Sequence, residues 1–406
     1  MKTRHLYYII LVLCMPVLVL AQTADDVVRP FIGLPVPGSR AEGLGQAYTA
    51  LSNDFTGAYY NPAGLATVTR AELYAGGTYL SLNNSFTTNY GQPMTGSIAR
   101  TYFHLNAVGY LYPVAQTKFT LGVGYFTASM LDRAYNIRAY MYRESTNEES
   151  ALGAYTITGG YQLNTELSVG MSLNFYSGNN TYDSNIADTL YSDFTSYQIS
   201  SNYSGIGLTL GFLWSPASYS RTGISITTPI ALNVDDNYTE KNYSETSNYR
   251  IQSPLSFSVG QAVNIGPVLL AGNITWRDWS LSKFTDTNRT PLVNADTVRI
   301  EPLINSEIRS HFASGLDALE YGAGGEYLLP FIDVKLRGGV RYVPGYRNDS
   351  PITDRWITAV GASAVLAQQF KIEFSYSQAS WKERFGSQES AKLNNAWATV
   401  TFSYRF

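Results

Sequence analysis

Alternation of apolar with polar or small residues, repeated in segment after segment, constrains this chain more than any other feature. In one segment, the apolar residues Leu167, Val169, Met171, Leu173 and Phe175 are separated by single polar or small residues. A period of two places one set of side chains on each face of a β-strand. About fourteen such segments follow one another from residue 71, so the chain is predicted to be all-β.

The connections between these segments alternate between short and long. Short ones lie near residues 113–116 and 329–332, whereas long polar ones lie near residues 131–150, 178–200, 232–250 and 280–318. Short turns at one end and long loops at the other are typical of outer-membrane barrels. The pattern therefore predicts a transmembrane antiparallel β-barrel of about fourteen strands over residues 71–406. A soluble β-sandwich or propeller is the alternative, but no blade-sized repeat recurs.

The predicted strands begin near Glu72, Tyr102, Thr117, Ala151, Thr165, Ser201, Ser220, Ile251, Pro267, Leu319, Asp333, Arg355, Lys371 and Asn395. The last one is amphipathic and ends in Phe406. This ending resembles the C-terminal signal that barrel-assembly machinery reads, so that machinery is an expected partner. An even number of strands places both ends of the barrel wall on the periplasmic side.

Residues 1–21 are predicted to be a secretory signal peptide. A basic start, Met1–His5, precedes an apolar run, Leu6–Leu20, and the small residue Ala21 marks the cleavage point. Cys14 is the only cysteine and lies in this leader, so the exported chain is predicted to carry no thiol. No run of about 18 apolar residues occurs after the leader, so no transmembrane helix is predicted there. Export together with the strand pattern predicts a bacterial outer-membrane location.

Composition narrows the function classes. Aromatic residues make up 14% of the chain, 32 of them Tyr, whereas charged residues make up 15%, against about 25% in soluble domains. Tyr-rich belts suit a barrel that contacts lipid and lipopolysaccharide. The net charge of −3 without a basic run argues against nucleic acid as a partner. Only His104 and His311 follow the leader, so the sequence predicts no enzyme, no metal site and no cofactor.

Residues 22–70 do not alternate and are predicted to be a hatch, a compact plug of short helices inside the barrel. The segment is rich in small residues and contains Asn61, Pro62, Ala63 and Gly64. By themselves these four residues are a turn signal, because Pro fixes φ and Gly permits positive φ. The spacing of Ser39 and Glu42 also fits a capping box at the start of a helix.

The polar face of the strands must look into the lumen, because a charge facing lipid at mid-bilayer costs about 2–4 kcal/mol. If a hairpin turns near residues 331–332, Glu326 falls opposite Arg337, and Glu320 lies diagonal to Arg341. We expect these pairs to neutralise the wall and to anchor the hatch. The remaining charges assigned to the lumen are Lys335, Lys371, Glu373 and Arg405.

Two motifs resemble the FadL-type family of outer-membrane transporters. One is the stretch from Gly38 to Ala66, which is similar to that family's N-terminal hatch with its Asn-Pro-Ala signature. The other is the segment Trp276–Phe284, which resembles a Trp-Ser segment at the end of a barrel strand. The resemblance implies passive uptake of fatty-acid-like hydrophobic compounds through a plugged barrel, with lateral release into lipid. It also implies a barrel that acts as a monomer.

Residues along the ligand path are expected on the lumen side or in the loops. The apolar candidates are Phe126, Met130, Leu131, Trp276, Trp279 and Phe284. Arg337 or Arg341 is expected to meet a ligand carboxylate. Gly122 and Gly124 could form a bulge or wall gap in the third strand, or provide packing room beside the hatch.

Two other functions remain open at this stage. The long loops are not obviously apolar, and related PorV-like barrels serve protein secretion or surface attachment through a bound partner protein. A general diffusion porin is the third possibility, and it requires a lumen that is open to ions.

Overall fold

The computed structural model describes residues 29–89, 93–138, 142–188, 194–241, 243–287, 301–302, 304–306, 319–345, 354–384 and 389–406. The predicted signal peptide and the beginning of the predicted hatch lie outside these residues. Within the described ranges, no helix is both long enough and apolar enough to cross a membrane.

Short helices fill the first part of the described chain. A 3-10 turn spans Arg29–Phe31, helix α1 spans Ser39–Gly43, helix α2 spans Gly57–Tyr60, and a second 3-10 helix spans Pro62–Thr67. Proline at the first helical position starts the last of these, because its missing N–H would have no intrahelical partner there. The hatch, used below for residues 29–70, consists of these elements and their connections.

The wall consists of β-strands from Glu72 onward. In chain order they are β1 Glu72–Thr88, β2 Met94–Pro113, β3 Phe119–Met130, β4 Arg133–Arg138, β5 Tyr142–Gln162, β6 Leu167–Asp188, β7 Phe194–Ala217, β8 Ser220–Thr227, β9 Ala231–Glu240, β10 Tyr243–Gln252, β11 Leu255–Ile265, β12 Val268–Asp278, β13 Lys283–Asp286, β14 Leu319–Leu328, β15 Val334–Val343, β16 Arg355–Leu366, β17 Phe370–Arg384 and β18 Glu389–Arg405. A 3-10 turn, Trp279–Leu281, separates β12 from β13.

These eighteen segments form a closed barrel of fourteen antiparallel strands. Four of the fourteen are interrupted, so that β3–β4, β8–β9, β10–β11 and β12–β13 each count once. The first strand closes the barrel by pairing with the last, from Glu72 opposite Arg405 to Thr88 opposite Glu389. This pairing removes the free edges of the first and last strands, as a spanning barrel requires. The predicted fourteen-stranded antiparallel barrel is confirmed.

Several strands extend farther toward the long-loop side than the sequence predicted. The segments near 142–150, 178–188, 194–200 and 231–250 were predicted to be loops, but they continue the β-ladder. They are rich in Ser, Thr, Asn and Tyr. One face of these extensions is still buried, as at Leu232, Val234 and Ser184, but their exposed face is polar instead of apolar. They therefore lack the alternation of lipid-facing apolar and lumen-facing polar residues by which the strands were recognised.

The third strand separates from β2 partway along its length, although it stays paired with β5. Strand β2 pairs with β3 only from Ala107 opposite Phe126 to Pro113 opposite Thr120. A register shift falls between Thr127 and Ser129, and the strand then breaks before β4. Strand β4 lies on the lumen face of the β1–β2 hairpin, where the Ala134 carbonyl accepts a hydrogen bond from the Asn84 side chain at 3.0 Å.

The upper half of β2, residues 94–106, is therefore not joined by a ladder to β3 or β4 in the described structure. We call this place, between that part of β2 and residues 127–132, the seam. It does not lie at Gly122 and Gly124, which belong to the paired part of β3. Gly124 instead leaves room for the hatch residue Phe55, whose Cζ would lie 2.5 Å from an added Cβ.

Candidate functional site

Glycines of the wall form a belt against which the hatch packs. A Cβ added at Gly170 would lie 2.2 Å from the backbone of Pro62, and one added at Gly339 would lie 2.2 Å from the nitrogen of Gly45. Gly160, Gly170 and Gly211 are direct neighbours across β5, β6 and β7. Only a residue without a side chain lets two backbones approach this closely. The other members of the belt are Gly109, Gly124, Gly223, Gly322 and Gly324.

Asn61 is the hydrogen-bonding centre of the hatch turn. Its side-chain nitrogen donates to the carbonyl of Thr49 at 2.8 Å and to the wall carbonyl of Phe212 at 3.1 Å. Its side-chain oxygen accepts from the nitrogen of Ala63 at 3.1 Å. The Asn-Pro-Ala-Gly turn thus caps its own 3-10 helix and attaches that helix to β7. Gly64 packs against the carbonyl of Ser52, where a Cβ would lie at 2.4 Å.

A second attachment is electrostatic. The guanidinium of Arg40 in α1 donates to Glu326 of β14 through Nε at 3.1 Å and through Nη2 at 3.3 Å. Glu326 also accepts from Arg337 at 2.6 Å, and Arg337 donates to Glu373 at 2.8 Å. The predicted register is confirmed, with Glu326 directly opposite Arg337. These charges line the lumen wall and hold the hatch.

Glu42 is held without a direct ion pair among the described residues. Its carboxylate accepts from the nitrogen of Val36 at 2.9 Å, from the indole of Trp397 at 3.1 Å and from the hydroxyl of Ser377 at 3.3 Å. Burial raises the pKa of this carboxyl. The predicted capping box is wrong, because Gly38 is the N-cap and Ser39 bonds to Thr401 instead.

A cavity of about 120 Å³ remains between the hatch and the wall strands β7, β8, β11 and β12. On the hatch side it is bordered by Phe31, Thr49 and Tyr59. Hydroxyl-bearing side chains dominate the wall side, and they are Thr209, Ser225, Thr227, Ser256, Ser258 and Thr275. Ala128 and Leu152 border the cavity where it approaches the seam. The cavity thus has an apolar rim and a hydroxyl-lined wall.

A cluster of two arginines and one glutamate borders the end of this cavity. Arg277 donates to Glu320 at 2.7 Å, and Arg341 donates to the other oxygen of the same carboxylate. Arg277 also donates to the carbonyl of Phe31 at 3.4 Å, which ties the wall to the N-terminal part of the hatch. The predicted diagonal relation of Glu320 and Arg341 is thereby confirmed as an ion pair.

The predicted ligand-path residues do not lie together. Arg341 borders the cavity, whereas Met130 and Leu131 border a smaller one of about 60 Å³ beside the N-terminal segment. Phe126 packs edge-to-face on Tyr59, with ring centroids 5.4 Å apart.

The other four predicted residues pack or pair elsewhere. Phe284 packs on Tyr249, with ring centroids 5.3 Å apart, and Trp276 packs on the cluster that contains Trp279. Arg337 is bound on both sides by carboxylates and does not border the cavity. A ligand role for the predicted path residues stays a prediction. The hydroxyl row was missed because isolated Ser and Thr on a polar face carry no distinctive sequence signal.

Side chains, rather than ladder bonds, connect the two sides of the seam. Thr127 donates to the carbonyl of Leu105 at 2.5 Å, and His104 Nε2 lies 2.9 Å from Asp132 Oδ2. Tyr102 donates to Asn147 at 2.7 Å. The first of these contacts satisfies a backbone carbonyl, that of Leu105, on an edge of β2 that would otherwise present unpaired polar groups to lipid.

Comparison with known proteins places this architecture. The family model described as "Outer membrane protein transport protein (OMPP1/FadL/TodX)" matches residues 32–405. A Pseudomonas aeruginosa FadL homologue of known structure is 12% identical, with a TM-score of 0.67, and the match covers 92% of this chain and 99% of that one. Among curated protein sequences, none matches this chain significantly.

Two toluene transporters have the same fold. TodX of P. putida is 12% identical with a TM-score of 0.64, covering 93% of this chain and 99% of that one. TbuX of Ralstonia pickettii is 14% identical with a TM-score of 0.60, covering 93% of this chain and 100% of that one. At this level of identity the structures establish the fold, and the family model establishes membership. The chain therefore belongs to the OMPP1/FadL/TodX family of outer-membrane transport proteins.

Proposed function

We propose that this protein carries hydrophobic small molecules across the outer membrane by passive diffusion through the lumen, with release through the seam into lipid. The observation that carries the proposal is the position of Ala128. This residue lies in the register shift of β3 and also borders the lumen cavity. A compound in the cavity would thus lie next to the seam.

The physical reason for a sideways exit is the hydrophobic effect. An apolar compound gains nothing by leaving the protein for the aqueous periplasm, but it gains free energy by entering the hydrocarbon of the membrane. The polar lipopolysaccharide layer outside is the barrier that a protein path avoids. Neither step needs an energy source, because the concentration gradient and transfer into lipid drive both.

The N-terminal segment of the hatch is suited to control this exit. A Cβ at Gly33 would lie 2.0 Å from the Ser129 hydroxyl and 2.4 Å from the Met130 carbonyl, so the segment presses directly on the seam. Its neighbour Phe31 borders the cavity, and Arg29 pairs with Glu148 of β5 at 2.5 Å. Movement of this one segment would uncover the cavity and the seam together.

Covalent closure of the seam tests the proposal. Because the exported chain is predicted to lack cysteine, the pair His104→Cys and Asp132→Cys can be joined by oxidation or by a short bifunctional thiol-reactive reagent. Uptake of radiolabelled toluene into outer-membrane vesicles is then measured. We expect cross-linking to lower the uptake rate about tenfold, and reduction of an oxidised pair to restore it.

The matched control joins two strands that already share a complete ladder. The pair Thr158→Cys and Ser172→Cys lies across β5 and β6, where the native hydroxyl oxygens are 2.6 Å apart. Cross-linking there should leave uptake unchanged. Unchanged uptake through a fully cross-linked seam would overturn lateral release.

The two other functions make different predictions for the purified protein. A general porin would conduct ions steadily in a planar bilayer, whereas a hatch-filled transporter should conduct little. A barrel for secretion or surface attachment would copurify with an exported protein and would transport no small apolar compound.

A further inference from the structure

The lumen cavity has a chemical character that a path for pure hydrocarbon does not need. Five of its hydroxyl groups form no hydrogen bond within the described residues, namely those of Thr49, Tyr59, Tyr176, Ser225 and Ser256. Ser225 and Ser256 lie on the adjacent strands β8 and β11. A hydrocarbon that displaced water from these hydroxyls would leave them without partners, which is unfavourable.

Aromatic rings occupy the other side of the same cavity. Tyr59 and Tyr60 pack edge-to-face with ring centroids 4.9 Å apart, and Phe31 and Tyr176 border the space as well. Rings prefer such offset or edge-on contacts with one another, so a further ring finds suitable partners here. Burial raises the pKa of the Tyr59 phenol, so its hydroxyl stays protonated and able to donate.

The size of the cavity limits the ligand. An apolar cavity of about 150 Å³ holds a benzene molecule, and this one measures about 120 Å³. This cavity is thus no larger than a site for a single aromatic ring, so a substituent would extend toward the wall, and a long acyl chain would have to extend far beyond the cavity.

The cations at the end of the cavity already bind a carboxylate of the protein. Arg277 and Arg341 both donate to Glu320, so an incoming carboxylate would have to compete with a buried carboxylate that already binds both cations. An uncharged hydroxyl group meets no such competitor, because it can bond to the unpaired hydroxyls of the wall.

We propose that this cavity binds small uncharged aromatic compounds that carry a hydroxyl group, the chemical class of phenol and its methyl derivatives. The inference rests on the proposed function, since it names the class of compound that the path accepts. The aromatic ring would lie among Phe31, Tyr59 and Tyr60, and the hydroxyl group would face Ser225 and Ser256.

Three ligands that share a methyl-substituted ring test this inference. Toluene, 4-methylphenol and 4-methylbenzoate differ in a single substituent, and their affinities for the purified full-length protein in detergent are measured by titration calorimetry. We expect 4-methylphenol to bind about tenfold more tightly than toluene, as one or two net hydrogen bonds would give. It should also bind more tightly than 4-methylbenzoate.

Variants locate the effect. In the double variant Ser225→Ala with Ser256→Ala, the ratio of the 4-methylphenol and toluene affinities should fall about three- to tenfold. Ser375→Ala is the matched control, because it removes a buried serine of β17 that does not border the cavity. The ratio should not change there. Retention of the heat-modifiable band of a folded barrel on gel electrophoresis checks each variant.

The outcomes separate the inference from the proposed function. Equal affinities for toluene and 4-methylphenol would overturn the inference, as would tightest binding of 4-methylbenzoate or no binding of any of the three. An unchanged affinity ratio in the double serine variant would overturn it too. Loss of uptake on seam closure is a separate readout, so the proposed lateral path can stand when the inference fails.

Discussion

Arg40 of the hatch and Glu326 of the barrel wall form a two-point ion pair across 286 positions of sequence, with N–O distances of 3.1 and 3.3 Å. Glu326 simultaneously binds Arg337 and Lys335. The carboxylate of Glu326 thus holds the hatch and also neutralises positive charge on the barrel wall.

Removal of Arg40 should loosen the hatch without unfolding the barrel. Arg40→Ala deletes two hydrogen bonds to Glu326 and one to Asn53, while Glu326 keeps its two wall partners. A hydrogen bond to a charged group contributes about 1.5–3 kcal/mol. We expect higher ion conductance in planar bilayers and faster protease cleavage of the hatch. Arg70→Ala, at an exposed site, is the control and should change neither. Conductance as low as in the wild type would show that the pair does not hold the hatch.

The same substitution at two adjacent glycines of β15 should raise conductance at one position and leave it unchanged at the other. In Gly339→Ala the new Cβ would lie 2.2 Å from the nitrogen of Gly45, and strain of about 1–3 kcal/mol should displace the hatch. In Gly338→Ala the Cβ meets nothing within 4 Å. We expect raised conductance only for Gly339→Ala. Equal conductance of both variants would contradict a close fit between hatch and wall.

Asn61→Asp tests the centre of the hatch turn. The substitution replaces a nitrogen that donates to two carbonyls with an oxygen that repels them, at a cost of about 3 kcal/mol. We expect lower hatch protection in hydrogen exchange and more ion leakage. Asn202→Asp, an exposed position of β7, introduces the same charge and should have no effect. Full protection of the hatch in the Asn61 variant would refute this role.

The hatch should loosen as the pH rises. Burial raises the pKa of Glu42 above its ordinary value of 4.5, although nearby Arg341 opposes the shift. A group whose folded pKa is raised contributes stability that is present below the unfolded pKa and is lost as the pH rises through the folded pKa.

Conductance measured between pH 5 and pH 9 checks this expectation. It should increase with pH in the wild type and vary less in Glu42→Gln, which carries no ionisable group at this position. An equal slope in both proteins would assign the pH dependence to another residue.

The sequence predicted those parts of the fold that a repeated local pattern encodes. The alternation of Leu167 to Phe175 reflects one face in lipid and one in the lumen, and the hairpin turn near residue 331 was enough to place Glu326 opposite Arg337. The extensions of the strands beyond the membrane were missed, because their exposed face is polar and the alternation of apolar with polar residues is absent there. The prediction of a capping box was wrong because the Ser39 hydroxyl hydrogen-bonds to that of Thr401, 362 positions away in the sequence.

The candidate site was less predictable, because tertiary contacts decide it. Trp276 and Phe284 pack on aromatic neighbours in the structure, and their predicted contact with a ligand stays a prediction. The His104–Asp132 contact depends on the separation of the third strand from β2, and no local sequence motif predicts that separation. Most wall glycines were an overlooked signal, because only Gly122 and Gly124 were considered as packing room beside the hatch. Inward-facing glycines recur strand after strand, and they indicate where another backbone lies close.

The bond between Glu42 and Trp397 also sets an order of assembly. It joins residues 355 positions apart, from the first helix of the described chain to its last strand. The contact between Ser39 and Thr401 reaches the same strand. The hatch therefore cannot finish docking until the C-terminal strand has been inserted and has met β1. These two contacts thus link full docking of the hatch to the last part of the chain.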